Sequence, residues 1–203
     1  MYIIYVLAAV IFSLAGSYWI DYLYRTPNAP ISFPNKLQGK HFARKIFLFL
    51  INISMTLYCV KNSPIVYYLI PATGFLGLIL ITDWEQYIIF DAMLLPFALS
   101  GLIIAVALGI PLIDRIFAGL VGGVCFFALM ILTRNGIGGG DVKLVAALGL
   151  WLGAKGLLST VLTASILGGI CAFCLIMTGK KKRTDYFAYG PYFCIAAAWE
   201  LIH

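Results

Sequence analysis

Long apolar runs broken by short polar intervals set the pattern of this chain. The runs are continuous rather than alternating, which predicts helices in an apolar medium and not the strands of a barrel. Eight helices are expected, over about 2–23, 42–60, 64–82, 92–110, 113–133, 142–155, 157–178 and 189–202. About 20 apolar residues cross the hydrocarbon core of a bilayer; the sixth and eighth runs fall short of that. The longest polar interval, 21–41, carries Pro27, Pro30 and Pro34 and reads as extended chain. No interval is long enough for a second domain, so residues 1–203 are expected to form one all-α, polytopic transmembrane domain. Met1 leads directly into apolar sequence, which predicts a retained anchor rather than a cleaved signal peptide.

Composition supports the pattern. Hydrophobic residues make up 63% of the chain and charged residues 11%, with a mean hydropathy of +1.00. A soluble domain of this size has no use for so much apolar surface. The net charge of +6 raises the question of nucleic acid, but the placement of the charges argues against it. Arg25, Lys36, Lys40, Arg44, Lys45, Arg134, Lys180, Lys181, Lys182 and Arg183 fall on one side of alternating crossings, and Lys61, Arg115 and Lys155 on the other. Ten against three, with Lys143 left out, marks the basic side as cytoplasmic and the amino terminus as external. Orientation and contact with anionic membrane lipid account for the charge.

The same topology brings two remote acids to one face. Asp83 ends the apolar run 67–82, which travels inward, and Asp141 opens the sixth run, which travels outward. A carboxylate at the edge of lipid is costly and calls for a reason. Asp83 also sits at a helix carboxyl end, where the dipole disfavours an acid. It belongs to an acidic stretch, Asp83-Trp84-Glu85-Gln86-Tyr87-Ile88-Ile89-Phe90-Asp91. Asp141 follows Gly136-Ile137-Gly138-Gly139-Gly140, where glycine permits close approach by an extended ligand. Two acids at one membrane face point to acid–base chemistry, with Asp83 and Asp141 as the candidate catalytic pair and a cytoplasm-facing active site.

Other polar residues carry weaker signals. Cys171-Ala172-Phe173-Cys174 has a C-x-x-C spacing but lies in an apolar run with no second pair, so the cysteines read as small buried hydrophobes. His41 and His203 are isolated, and no metal site is expected. Lys143 either favours the anion at Asp141 or snorkels to lipid phosphate. Gly149-x-x-x-Gly153 and Gly119-x-x-x-Gly123 predict close helix packing. Tyr189-Gly190-Pro191 reads as the start of the last helix.

Together these motifs make the chain resemble the type IV prepilin peptidases, membrane aspartic proteases of the Gly-x-Gly-Asp class. Gly138-Gly139-Gly140-Asp141-Val142-Lys143-Leu144, with Ala146-Ala147-Leu148-Gly149 and Trp151-Leu152-Gly153, is similar to that family's second catalytic motif. Asp83 and Asp91 resemble its first motif, with Phe90 where the family usually has Pro. Tyr189-Gly190-Pro191-Tyr192 resembles a carboxyl-terminal element. Gly16-Ser17-Tyr18 with Arg25 and Pro27 resembles an amino-terminal one, with Ile20 where Asn is usual.

The resemblance implies a bacterial inner-membrane endopeptidase that removes a short basic leader from prepilins or pseudopilins. It implies no cofactor for proteolysis. Many bacterial members also N-methylate the new terminus and carry two C-x-x-C pairs in the first cytoplasmic loop. This loop has no cysteine, so S-adenosylmethionine enters only if methyltransferase activity is retained. Glu85 and Asp91 are candidates to receive leader lysine or arginine, or else are solvated acids or structural partners to Lys143 or Arg134; Gly138, Gly139, Gly140 and Lys143 are further substrate-binding candidates. Asp21 and Asp185 are other acids on this face. The helix dipoles assign the base to Asp141 and the acid to Asp83. Two other readings stay open: a small ion-coupled transporter, and an inactive pilus-assembly factor that kept the fold.

Overall fold

The computed structural model describes residues 2–26, 41–62, 66–134, 136–180 and 187–202. Pro27, Pro30, Pro34, Lys36, Lys40, Lys181, Lys182, Arg183, Asp185 and His203 lie outside them, as do the side chains of His41, Cys59 and Lys61. The apolar runs fold as helices: α1 (Tyr2–Arg25), α2 (His41–Asn62), α3 (Val66–Gln86), α4 (Asp91–Ala107), α5 (Leu112–Leu132), α6 (Gly139–Met177) and α7 (Gly190–Ile202). No strand occurs among the described residues.

Helix ends depart from the apolar runs where hydrogen bonding, not hydropathy, decides them. α3 continues past Thr82 to Gln86, which is fully buried, so Asp83 and Glu85 lie in its last turn. Tyr87 then leaves the helix in the left-handed region at φ 56°, its N–H still on the Asp83 carbonyl at 2.9 Å. A non-glycine residue holds that conformation only where its surroundings fix it. α4 ends at Ala107, short of the expected 110, because the Leu108 and Gly109 N–H groups turn back onto the Ile104 and Val106 carbonyls.

The sixth and seventh runs depart most. Helix α6 begins at Gly139 rather than 142, and its interior break falls at Gly153 (φ 71°, ψ −176°) rather than at 156. The motif spacing assigns Gly153 to packing; the structure makes it the turn. A Cβ there would overlap the Asp114 carboxylate. Asp114 accepts the Ala154 N–H at 3.3 Å and so caps the second arm of α6. Gly122 of α5 faces Val145 before the break and Leu157 after it. Gly156 lies beside Glu200 near the end of α7, and Gly168 beside Tyr189 just before its start. The second arm therefore folds back beside the first and runs antiparallel to α7.

Packing follows from small residues and a few aromatics. A Cβ on Gly149 would stand 2.5 Å from the Gly119 nitrogen, so α5 and α6 cross backbone to backbone there. Trp151 of α6 stacks on Phe97 of α4 at 5.6 Å between ring centroids and donates its indole N–H to the Phe97 carbonyl at 2.7 Å. Leu78 and Ile79 of α3 and Leu144 and Leu148 of α6 are fully buried in one shared core.

The outer faces are apolar too. Leu95, Leu99, Ile103 and Val106 of α4 and Leu120, Val124, Phe127 and Ile131 of α5 are exposed at helical spacing. A soluble monomer rarely leaves such stripes uncovered. α5 and α6 are long and apolar enough to cross a membrane.

Candidate active site

The last turn of α3 and the first turn of α6 meet at one end of the bundle, where α7 also begins. α3 supplies Asp83, 5% exposed, and α6 supplies Asp141, half-buried. Both lie just outside the apolar spans 64–82 and 142–155. The Asp141 charge acts on Asp83, so the pair that the sequence places on one face is also brought together. The Asp141 N–H closes the first turn of α6 on the Gly138 carbonyl at 3.0 Å.

α7 shapes the pocket of Asp83. Gly190 is buried against it, and a Cβ on Gly190 would stand 2.6 Å from Asp83 Oδ2. The Gly190 N–H faces the same carboxylate and favours its ionised form. Asp83 Oδ2 is buried without a hydrogen-bond partner. A buried oxygen with no partner carries a desolvation cost that a reacting atom can recover on meeting substrate or water. Cys194, also on α7 and buried, lies within electrostatic reach of both acids.

These surroundings move both protonation equilibria upward. Asp83 is raised to about 7, first by burial and then by the Asp141 charge, with the Gly190 N–H pulling the other way. Asp141 is raised to about 6 by burial, against a backbone N–H at Gly138. Each carboxylate that ionises makes ionising its neighbour more expensive, which favours one proton held between the two.

The remaining candidates divide. Gly139 has nothing within 4 Å of where its Cβ would stand, while a Cβ on Gly140 would meet Ile89 at 3.1 Å and one on Gly138 would meet Asp141 Oδ2 at 3.3 Å. Gly138 and Gly139 are thus exposed beside the dyad with open space at Gly139. Asp91, at the start of α4, is bonded by the Lys143 ammonium at 2.7 Å, and both side chains are largely exposed (70% and 58%). Lys143 thus engages Asp91, the structural pairing weighed in the sequence against leader docking. Glu85 is engaged as well. Arg44 of α2 grips it with a fork, Nη2 to Oε2 at 2.7 Å and Nε to Oε1 at 3.3 Å.

Three residues at this site escape sequence reasoning. Gly190 reads as a helix start, Cys194 as a small hydrophobe and Arg44 as an orienting charge. A glycine directly before a helix-initiating proline, in a motif already singled out, is the signal available for Gly190. Among the described residues, no three His, Cys, Asp or Glu side chains converge as a metal site. Cys171 and Cys174 are free thiols, one half-buried and one exposed.

Comparison with known proteins bears on this geometry. The family model described as "Type IV leader peptidase family" matches residues 70–173, about half of the chain. That stretch contains both aspartates. A protein of Aeromonas salmonicida named prepilin leader peptidase/N-methyltransferase is 32% identical over 143 residues, covering 63% of this chain and 49% of its own. Proteins of the same name from Pseudomonas putida and Bacillus subtilis are 31% and 32% identical, covering 63% and 61% of this chain and 46% and 51% of theirs. The chain thus spans about half the length of the curated relatives it matches. No solved structure matches it.

Proposed function

The chain belongs to the type IV leader peptidase family, and from that premise we propose that it is a membrane aspartic endopeptidase. It cleaves the short basic leader from type IV prepilins or pseudopilins at the cytoplasmic face of the bacterial inner membrane. The observation that carries the reading is the convergence of Asp83, buried, and Asp141, half-buried, at helix ends on one side of the bundle, with Asp141 acting on Asp83.

The ionised member of the pair draws a proton from water, and the protonated member donates to the scissile carbonyl oxygen. No covalent intermediate forms. Asp141 is the resting base and Asp83 the resting acid. Asp83 is the more deeply buried and bears the repulsion of its neighbour. It also sits at a helix carboxyl end, whereas Asp141 sits at an amino end. The open space at Gly139 gives an extended peptide room to lie against the backbone.

The exposed apolar stripes and the ten-to-three charge bias support eight membrane crossings, counting the arms of α6 separately, with the amino terminus external. We take proteolysis as the activity, with no cofactor. The loop between α1 and α2 has no cysteine, so N-methylation and S-adenosylmethionine are not part of this reading. Co-expression with a leader-bearing prepilin tests it: a shortened product with an unmodified new terminus is expected. An uncut prepilin would leave the inactive-factor reading standing.

Asp91 receives the basic leader. Its pair with Lys143 is exposed and therefore worth little, so a leader lysine or arginine can replace Lys143 at small cost. Glu85, with its side chain 12% exposed and already held by Arg44, is not free for that role. Asp91→Lys is expected to slow cleavage of a basic leader about 10-fold while an acidic leader is spared or helped. Glu85→Gln should affect both leaders alike. Cleavage rates for the two leaders with each variant decide it, and equal losses for Asp91→Lys reject the docking role.

The shared proton predicts a bell-shaped pH profile. Activity needs one carboxylate ionised and one protonated. As pH falls through about 6, Asp141 takes a proton and the base is lost. As pH rises through about 7, Asp83 loses its proton and the acid is lost. The kcat/KM profile of wild type in detergent is therefore expected to peak at mildly acidic to neutral pH. A flat profile from pH 4 to 9 is incompatible with this dyad.

A further inference from the structure

Arg44 is the one arginine buried among the described side chains, at 3% exposed, and neither the acid–base chemistry nor leader docking uses it. Its guanidinium joins three helices. Two of its nitrogens grip both carboxylate oxygens of Glu85 on α3, and the third, Nη1, donates to Asp21 of α1. Tyr24 of α1 adds its hydroxyl to Glu85 Oε2 at 3.3 Å and its ring to the face of Arg44 at 5.5 Å. The same ring packs on Phe90, 5.9 Å between centroids, at the residue before α4. The cluster therefore holds both ends of the segment that begins at Asp83 and ends at Asp91. Asp21, Tyr24 and Arg44 all precede the family-matched stretch that starts at residue 70.

Orientation is what such a cluster can supply. Asp83 lies in the last turn of α3, two residues before Glu85, and that turn ends in the left-handed Tyr87. A frayed helix end would let the Asp83 carboxyl wander from Gly190 and Asp141. A planar guanidinium gripping both oxygens of a carboxylate fixes direction as well as distance, which a lysine ammonium does not. Buried pairs of this kind contribute little net stability, so specificity of geometry is their better-attested use.

We infer that Arg44 is a positioning residue: through its two-pronged grip on Glu85, α1 and α2 hold the Asp83 turn of α3 in the geometry the dyad requires. This rests on the proposed protease reading, and its test separates the two. Arg44→Lys keeps the charge and loses the fork; Glu85→Gln keeps the shape and loses the charge.

In detergent Arg44→Lys, which keeps the charge, should melt within a few degrees of wild type, and Glu85→Gln lower but still folded, because it leaves the buried Arg44 with Asp21 as its charged partner. For a leader-bearing prepilin, kcat should fall about 10- to 100-fold with KM little changed, the scale expected for a misplacement of about 1 Å. The infrared band of the protonated Asp83 carboxyl, identified by its loss in Asp83→Asn, should shift or broaden in both variants without any substrate. A band that shifts in both variants while wild type itself fails to cleave keeps the clamp and sinks the protease reading. A band identical to wild type in folded Arg44→Lys overturns the clamp, whatever the activity. So does unfolding of both variants, which would make the cluster a stability element.

Discussion

Asparagine at either Asp83 or Asp141 is expected to lower kcat/KM for a leader-bearing prepilin about 10³-fold or more, while the protein stays folded. General acid or base catalysis contributes about 10²–10⁴-fold per group, and a shared proton makes the two groups one unit, so the double variant should be little worse than either single. Asn is close to isosteric, and Asp83 Oδ2 has no hydrogen-bond partner to lose. Removing either acid relieves the repulsion that makes the pair costly to bury, so thermal stability should hold or rise. Glutamate discriminates further. Asp83 is confined by Gly190, and one more methylene drives the carboxylate into α7. An ion-coupled carrier often tolerates that change with altered coupling; this dyad should not. Purified variants assayed on one prepilin, with melting curves alongside, give the answer. Substantial cleavage by Asp141→Asn would remove the acid–base assignment.

Alanine at Gly190 should do almost as much damage from outside the matched stretch. Its methyl would sit 2.6 Å from Asp83 Oδ2, closer than carbon and oxygen approach in real structures, so the carboxylate must move. Displacing a reacting group by about 1 Å can cost about 10²-fold, and that loss is expected in kcat. Gly139→Ala is the matched control. Nothing stands within 4 Å of its Cβ in the free protein, so the fold should not register the change. Any loss there should appear in KM, because the space it fills is the space proposed for the peptide. Equal kcat for Gly190→Ala and wild type would mean that α7 does not shape the site.

The contrast between these two glycines shows how far the sequence could be read. Motif spacing drew attention to both, yet it assigned Gly190 to helix initiation and gave Gly139 no more weight than Gly138 or Gly140. Their difference lies in what stands opposite, and that belongs to other helices. The acids behave likewise. Glu85 and Asp91 were equivalent candidates for a leader cation. Glu85 is gripped by an arginine 41 residues earlier in the chain, while Asp91 keeps an exposed, exchangeable partner. Gly153 shows the limit for backbone geometry. Apolar content placed a break near residue 156, but the position of Asp114 at the start of α5 determines which residue turns.

Hydropathy by itself settled the helical class and the approximate extent of each helix, and the motif resemblance picked out Asp83 and Asp141 together. Those properties are local or additive along the chain, so a linear reading suffices. Tertiary structure alone decided that α7 walls in Asp83, that Arg44 is a buried clamp rather than a loop charge, and that Glu85 is already spoken for. Each depends on the distance between side chains far apart in sequence. Burial and Coulomb energies follow that distance, which a residue-by-residue reading along the chain does not supply.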